Sequence, residues 1–149
     1  MKKLFITALV ALAIGTTAFA SPKSISAKVT NHFTNTFTKA QNVSWKTDEH
    51  FDKVSFVLNN EKVDAFYDMQ GELMGTSKAI AFDKLPKSAI QTITTKYTFP
   101  DYQVKECIEF LNVNNNETNY YVSFAAKNEN IALEITRTGS VSVFSKTRK

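Results

Sequence analysis

Most of what this sequence lacks is what catalysis and cross-linking need. Cys107 is its one cysteine, so no intramolecular disulfide can form, and the thiol is either buried or available to another chain. The four glycines are scattered, which leaves no phosphate-cradling loop, and no serine sits in a Gly-x-Ser-x-Gly elbow. The two histidines lack ligand-spaced partners. His32 reads as a helix-edge residue, and His50, after Asp48 and Glu49, as part of a solvated hairpin tip. Arg137 and Arg148 are the sole arginines, too few for the dense basic face of a nucleic-acid binder. The apolar run 4–14 is shorter than the about 20 residues a membrane-spanning helix requires. Cys107 could act as a nucleophile only if the fold brought His32 or His50 to it, and no local motif does so. The expectation is a chain that is not an enzyme, with no metal and no cofactor.

What is present begins with an address. Lys2-Lys3, the uncharged run 4–14 and Ala18-Phe19-Ala20 form a secretory signal at 1–20, cleaved before Ser21. No cysteine occurs at 17–21, so nothing there can be lipid-modified. Removing Lys2 and Lys3 leaves 16 basic residues against 14 acidic ones, a net charge of +2. Residues 21–149 are enough for a single domain with a proper core. The expected location is the periplasm or the cell exterior, with no membrane span after cleavage.

The chain also says nearly the same thing twice. Val54-Ser55-Phe56 recurs as Val122-Ser123-Phe124, Asn60-Glu61 as Asn128-Glu129, and Gly71 as Gly139, all 68 positions apart. Apolar positions follow the same offset: Val63 with Ile131, Ala65 with Leu133, Tyr67 with Ile135, Leu73 with Val141. Such self-similarity predicts one supersecondary unit used twice, at about 22–80 and 85–147.

Each unit reads as a helix followed by four strands. Ile25, Val29, Phe33 and Phe37 form a narrow helical stripe, and Leu85, Ala89, Ile93 and Tyr97 form another behind Pro86. Strands are expected at 42–46, 51–58, 62–68 and 72–80, then at 102–113, 119–126, 131–137 and 140–145, with 146–149 a frayed end. The pair Asn59-Asn60 is a two-residue hairpin loop. It sets Phe56 opposite Val63 and Val54 opposite Ala65 on one face, with Ser55 opposite Asp64 and Lys53 opposite Phe66 on the other. In the strand after the second helix, alternation groups Val104, Ile108 and Phe110 on one face and Cys107 with Lys105 and Glu109 on the other. The expected fold class is α+β: a tandem repeat of helix plus four antiparallel strands, forming one antiparallel sheet with two helices on one face. The second face is left to solvent or a partner.

Three runs carry a resemblance: Ala40-Gln41-Asn42-Val43-Ser44-Trp45, then Val63 through Leu73 with its Tyr67-Asp68-Met69-Gln70-Gly71 turn, then Leu85-Pro86-Lys87-Ser88-Ala89-Ile90. Together they resemble the PepSY-like family, exported proteins of Bacteroides-type bacteria also described as β-lactamase-inhibitor-like. The second copy is more degenerate, with Thr136-Arg137-Thr138-Gly139 at the corresponding turn. The resemblance implies the inhibitor-like fold, and binding or inhibition of secreted enzymes through a sheet face. The aromatics Trp45, Phe66, Tyr102 and Tyr121 are the candidate partner-binding residues, because exposed rings on an open sheet would anchor a secreted or envelope protein or peptide. The competing reading places these rings at the core margin. An alternative function is a small-ligand or envelope-stress binding protein with a pocket between helices and sheet.

Overall fold

The computed structural model describes residues 24–149, and the secretory signal expected at 1–20 lies outside them. Two ten-residue helices, each too short to persist alone in water, are held by their apolar stripes. Helix α1 (Ala27–Thr36) starts at Ser26, whose side-chain oxygen accepts from the Val29 N–H at 3.3 Å, and it buries Val29 and Phe33. Helix α2 (Lys87–Lys96) follows Pro86 and a short 3-10 turn, and it buries Ala89 and Ile93. Eight strands complete the fold: β1 (Gln41–Thr47), β2 (Phe51–Leu58), β3 (Glu61–Asp68), β4 (Leu73–Ala79), β5 (Gln103–Asn112), β6 (Glu117–Ala125), β7 (Glu129–Thr136) and β8 (Val141–Arg148).

The strands form one open sheet in sequence order, every neighbour antiparallel. The β2–β3 hairpin has the register its sequence predicts, with Phe56 opposite Val63 and Lys53 opposite Phe66. Asn59 and Asn60 both take positive φ, 50° and 68°, as a tight hairpin turn demands.

Both helices lie on one face. The register carries that face from Val54 through Ala65 and Thr76 to Leu111, and Cys107 shares it on β5. Helix α1 packs its Val29 and Phe33 on Val54, Phe56, Ala65 and Tyr67. Helix α2 packs on Cys107, Val122, Phe124, Ile131 and Leu133. The start of each helix is tied to a turn of the sheet. Lys28 Nζ donates to the Gln70 carbonyl at 2.9 Å and pairs with Glu72, while Ser88 Oγ donates to the Thr138 carbonyl at 3.4 Å. Gly71 and Gly139 occupy these turns with φ of 80° and 89°. A Cβ at Gly139 would stand 1.9 Å from Ser88 Oγ, so this contact needs glycine for space as well as for conformation.

The face without helices is not left bare. Phe51, Phe66, Phe110, Tyr121 and Phe144 form a chain of rings from β2 to β8, with successive centroids 5.8, 6.1, 6.5 and 5.2 Å apart. Among the described residues no second layer covers them, yet Phe51, Phe66, Phe110 and Tyr121 are buried. The sheet itself encloses them. Register shifts interrupt β1–β2, β3–β4, β5–β6 and β7–β8, and bulges increase local twist. Twist brings residues on diagonal strands together, so a line of large rings closes over itself.

Two expectations change, and one open choice is settled. Residues 146–149 do not fray: β8 runs to Arg148, which pairs with Glu129, and the Lys149 N–H donates to the Asn128 carbonyl. The shift between Val104 and Glu106 turns Val104 to the helix side, opposite Phe124 and away from Ile108 and Phe110. Cys107 takes the buried one of its two readings, beneath α2, and burial, then the nearby Glu106 carboxylate, pushes its thiol pKa up to about 11.

Candidate functional site

Of the four aromatics singled out in the sequence, none stands free on an open surface. Phe66 and Tyr121 do point to the helix-free face, but each is only 2% exposed, locked in the ring chain. The Tyr121 hydroxyl donates to Glu134 Oε1 at 2.9 Å, and Asn119 Nδ2 donates to the same oxygen at 3.1 Å. Burial, with the adjoining Glu134 carboxylate, pushes the Tyr121 pKa up. Trp45 lies on the helix side, half-buried with its ring 5.2 Å from Phe33. Tyr102 stands edge-on to Tyr97 at 5.2 Å, at the margin of the α2 cluster. Alternation assigns a side chain to a face but not whether the sheet will curl over it: Phe66 and Tyr121 are buried, and Trp45 and Tyr102 are half-buried at the core margin, as the competing reading has them.

The prominent opening is elsewhere. A cavity of about 920 Å³ lies at the end of the sheet where β5, β6 and β7 begin or finish, lined by Gln103, Glu106, Ser123, Ala125, Asn130 and Lys149 among others. Register places Gln103 opposite Ala125, Glu106 opposite Ser123, and Ala125 opposite Asn130, all on the helix-free face. The recess is therefore a feature of the sheet. Two unusual groups line it. Ser123 is 4% exposed, and its Oγ has no hydrogen-bond partner among the described residues. Burial, opposed only in part by Lys53 and reinforced by Asp64, raises the Glu106 pKa. Lys53 and Asp64 form an ion pair at 3.3 Å on the same face. The bulge at Val104/Glu106 resets the pairing beside this recess, a signal the sequence alone did not disclose.

A second opening, about 550 Å³, runs between α2 and the start of β5, with Ile93, Tyr97, Tyr102, Val104 and the 79%-exposed Phe99 along it.

The candidate nucleophile and base are not brought into one cluster. Cys107 belongs to the group under α2, whereas His32 sits on α1 with Nδ1 3.1 Å from the Tyr67 hydroxyl, in the group under α1. Burial pushes the Tyr67 pKa up to about 12. No group of three or more metal-ligating side chains occurs among the described residues, and among them no helix is long and apolar enough to cross a membrane.

No family model matches the chain, and no curated relative matches it. Solved structures do. A DUF2874 family protein from Bacteroides uniformis aligns with a TM-score of 0.67 at 14% identity, covering 84% of this chain and 90% of its own. A Bacteroides eggerthii protein named for an expected periplasmic location aligns at 0.68 and 12%, covering 85% and 90%. A BLIP-like protein from Bacteroides fragilis aligns at 0.65 and 10%, covering 86% and 89%. At these identities the likeness establishes a shared fold: one open antiparallel sheet of eight strands with two helices.

Proposed function

We propose that this chain is an exported, non-enzymatic binding module of the periplasm or cell exterior, and that it engages a secreted or envelope protein or peptide through the helix-free face of its sheet. One observation carries the reading. That face holds a recess lined by the half-buried Glu106, whose pKa burial raises, and by Ser123, whose buried Oγ has no hydrogen-bond partner among the described residues, and a buried group left unpaired is costly enough to call for an explanation. The periplasmic and BLIP-like descriptions of the structural neighbours fit the same reading. We read the two halves as tandem copies of one unit, supported by the 68-residue offset and by the matching glycine turns at Gly71 and Gly139.

The burial of Phe66 and Tyr121 moves the test to exposed residues. Lys46 and Lys62 alternate onto the helix-free face and are exposed, whereas Lys87 is exposed on α2. The double charge reversal Lys46→Glu with Lys62→Glu is expected to abolish capture of a partner from envelope extract, with the melting temperature held. Lys87→Glu is the control and should capture normally. Loss with Lys87→Glu alone, or full capture by the double variant, sinks the helix-free face as the docking surface.

A second reading rests on the groove between α2 and β5, whose exposed Phe99 and Val104 would suit an apolar small ligand. Ligand extracted from protein purified out of its host, and lost on Phe99→Asp, would favour it.

A further inference from the structure

The recess has a charge gradient. Glu106 and Ser123 line it side by side, and the Lys53–Asp64 ion pair acts on Glu106 with both signs, Asp64 raising its pKa and Lys53 lowering it. Three exposed lysines, Lys105, Lys127 and Lys149, line it against the one exposed carboxylate of Asp101. Lys149 Nζ is turned inward to the Ala126 carbonyl at 2.7 Å. Ser123 Oγ, buried and without a hydrogen-bond partner among the described residues, stands on the paired strand directly across from the half-buried Glu106. A half-buried carboxylate in that setting gains most from a cation that brings its own hydrogen-bond donors, and a planar guanidinium supplies them in the geometry a carboxylate accepts. A cation alone would have to pass three lysines. A ligand that also carries a carboxylate would turn that barrier into an attraction.

We infer that the recess binds a zwitterionic ligand of the arginine type, with the guanidinium held by Glu106 and Ser123 and the carboxylate by the lysines. A free amino acid and the last residue of a peptide offer the same two charges. This inference rests on the reading of the helix-free face as the binding surface, and it names what one part of that face takes. The cavity is within the size range of ordinary small-molecule sites, and Glu106 and Ser123 come from the paired strands β5 and β6, while Lys127 lies in the turn after β6 and Lys149 follows β8.

The test is a titration of the full folded chain, followed by amide NMR shifts, with three probes. N-acetyl-arginine carries both charges, N-acetyl-arginine amide lacks the carboxylate, and N-acetyl-norleucine lacks the cation. Saturable shifts at Gln103, Glu106, Ser123 and Asn130 are expected with N-acetyl-arginine at millimolar concentration. The other two probes should bind at least about tenfold more weakly, one lost charge contact each. Glu106→Gln should abolish the binding, and Ser123→Ala should weaken it while the fold persists, since that change removes an unpaired hydroxyl. A dipeptide ending in arginine that binds more tightly than free L-arginine assigns the peptide source, and the reverse order the free amino acid. No saturable shift with N-acetyl-arginine, equal binding of N-acetyl-norleucine, or unchanged binding by Glu106→Gln overturns the inference. If capture by the face survives such a result, only the recess assignment falls. If capture is lost to the control charge reversal on α2 while N-acetyl-arginine still binds, the docking-surface reading falls and the recess stands.

Discussion

The two faces of this sheet reach the same burial by different routes. On one, helices α1 and α2 supply a second layer, and Val54, Ala65, Val122 and Leu133 are sealed beneath them. On the other the described residues supply no layer, and five rings from five strands shield one another. A layer covers a face broadly. A diagonal of rings covers a strip and leaves ground on either side, which is where the Lys53–Asp64 pair and the Glu106 recess lie. The second route therefore yields a face that is rigid and apolar along one line and polar next to it.

The largest effect should come from the ring chain. Phe66→Ala is expected to cost about 3–5 kcal/mol in urea unfolding, as much as Phe33→Ala beneath α1. A loss within about 0.5 kcal/mol, normal for an exposed site, would break the equivalence of the two faces. Next is the thiol under α2. With the Cys107 pKa pushed up to about 11, alkylation near neutral pH should be on the order of a hundredfold slower in native protein than in urea. Equal rates would show that the helix layer does not seal its face.

Gly75 probes where the two routes meet. A Cβ there would stand 2.4 Å from Phe110 Cζ and 2.5 Å from the Leu111 carbonyl, so Gly75→Ala should destabilise by about 1–3 kcal/mol, as overpacking does. The smallest effect is electrostatic. The folded state holds a proton on Glu106 more tightly than the unfolded chain does. Wild-type stability is therefore whole at a pH below the ordinary carboxylate range and is reduced as pH rises through the raised value. Glu106→Gln should melt higher than wild type at about pH 7, with the gap closing below about pH 4. A constant gap across that range would remove Glu106 from the half-buried setting described for it.

Much of this fold is legible in the residues, because much of it is local. The Asn59-Asn60 loop fixes a register that every residue of β2 and β3 then obeys. The helical stripes with their start signals place both helices. The candidate site was less legible for a physical reason. Burial of Phe66, Phe110 and Tyr121 depends on the summed twist of several strands and on bulges at Val104/Glu106 and Ala132/Leu133, and no single strand encodes a sum. One signal was available: Phe51, Phe66, Phe110, Tyr121 and Phe144 put a large ring on the supposedly solvated side of five different strands. The recess had no such signal, since Ser123 and Glu106 are unremarkable until the bulge sets them opposite each other.

Strand order has a consequence for how the chain is made. Because β1 to β8 lie in the sheet in the order they occur in the sequence, each newly released strand meets a partner that has already emerged. A polypeptide delivered N-terminus first, whether from a ribosome or through a narrow channel, can add strands one at a time to a growing edge. No segment has to wait for a distant mate, and at any moment a single open edge advances with the chain.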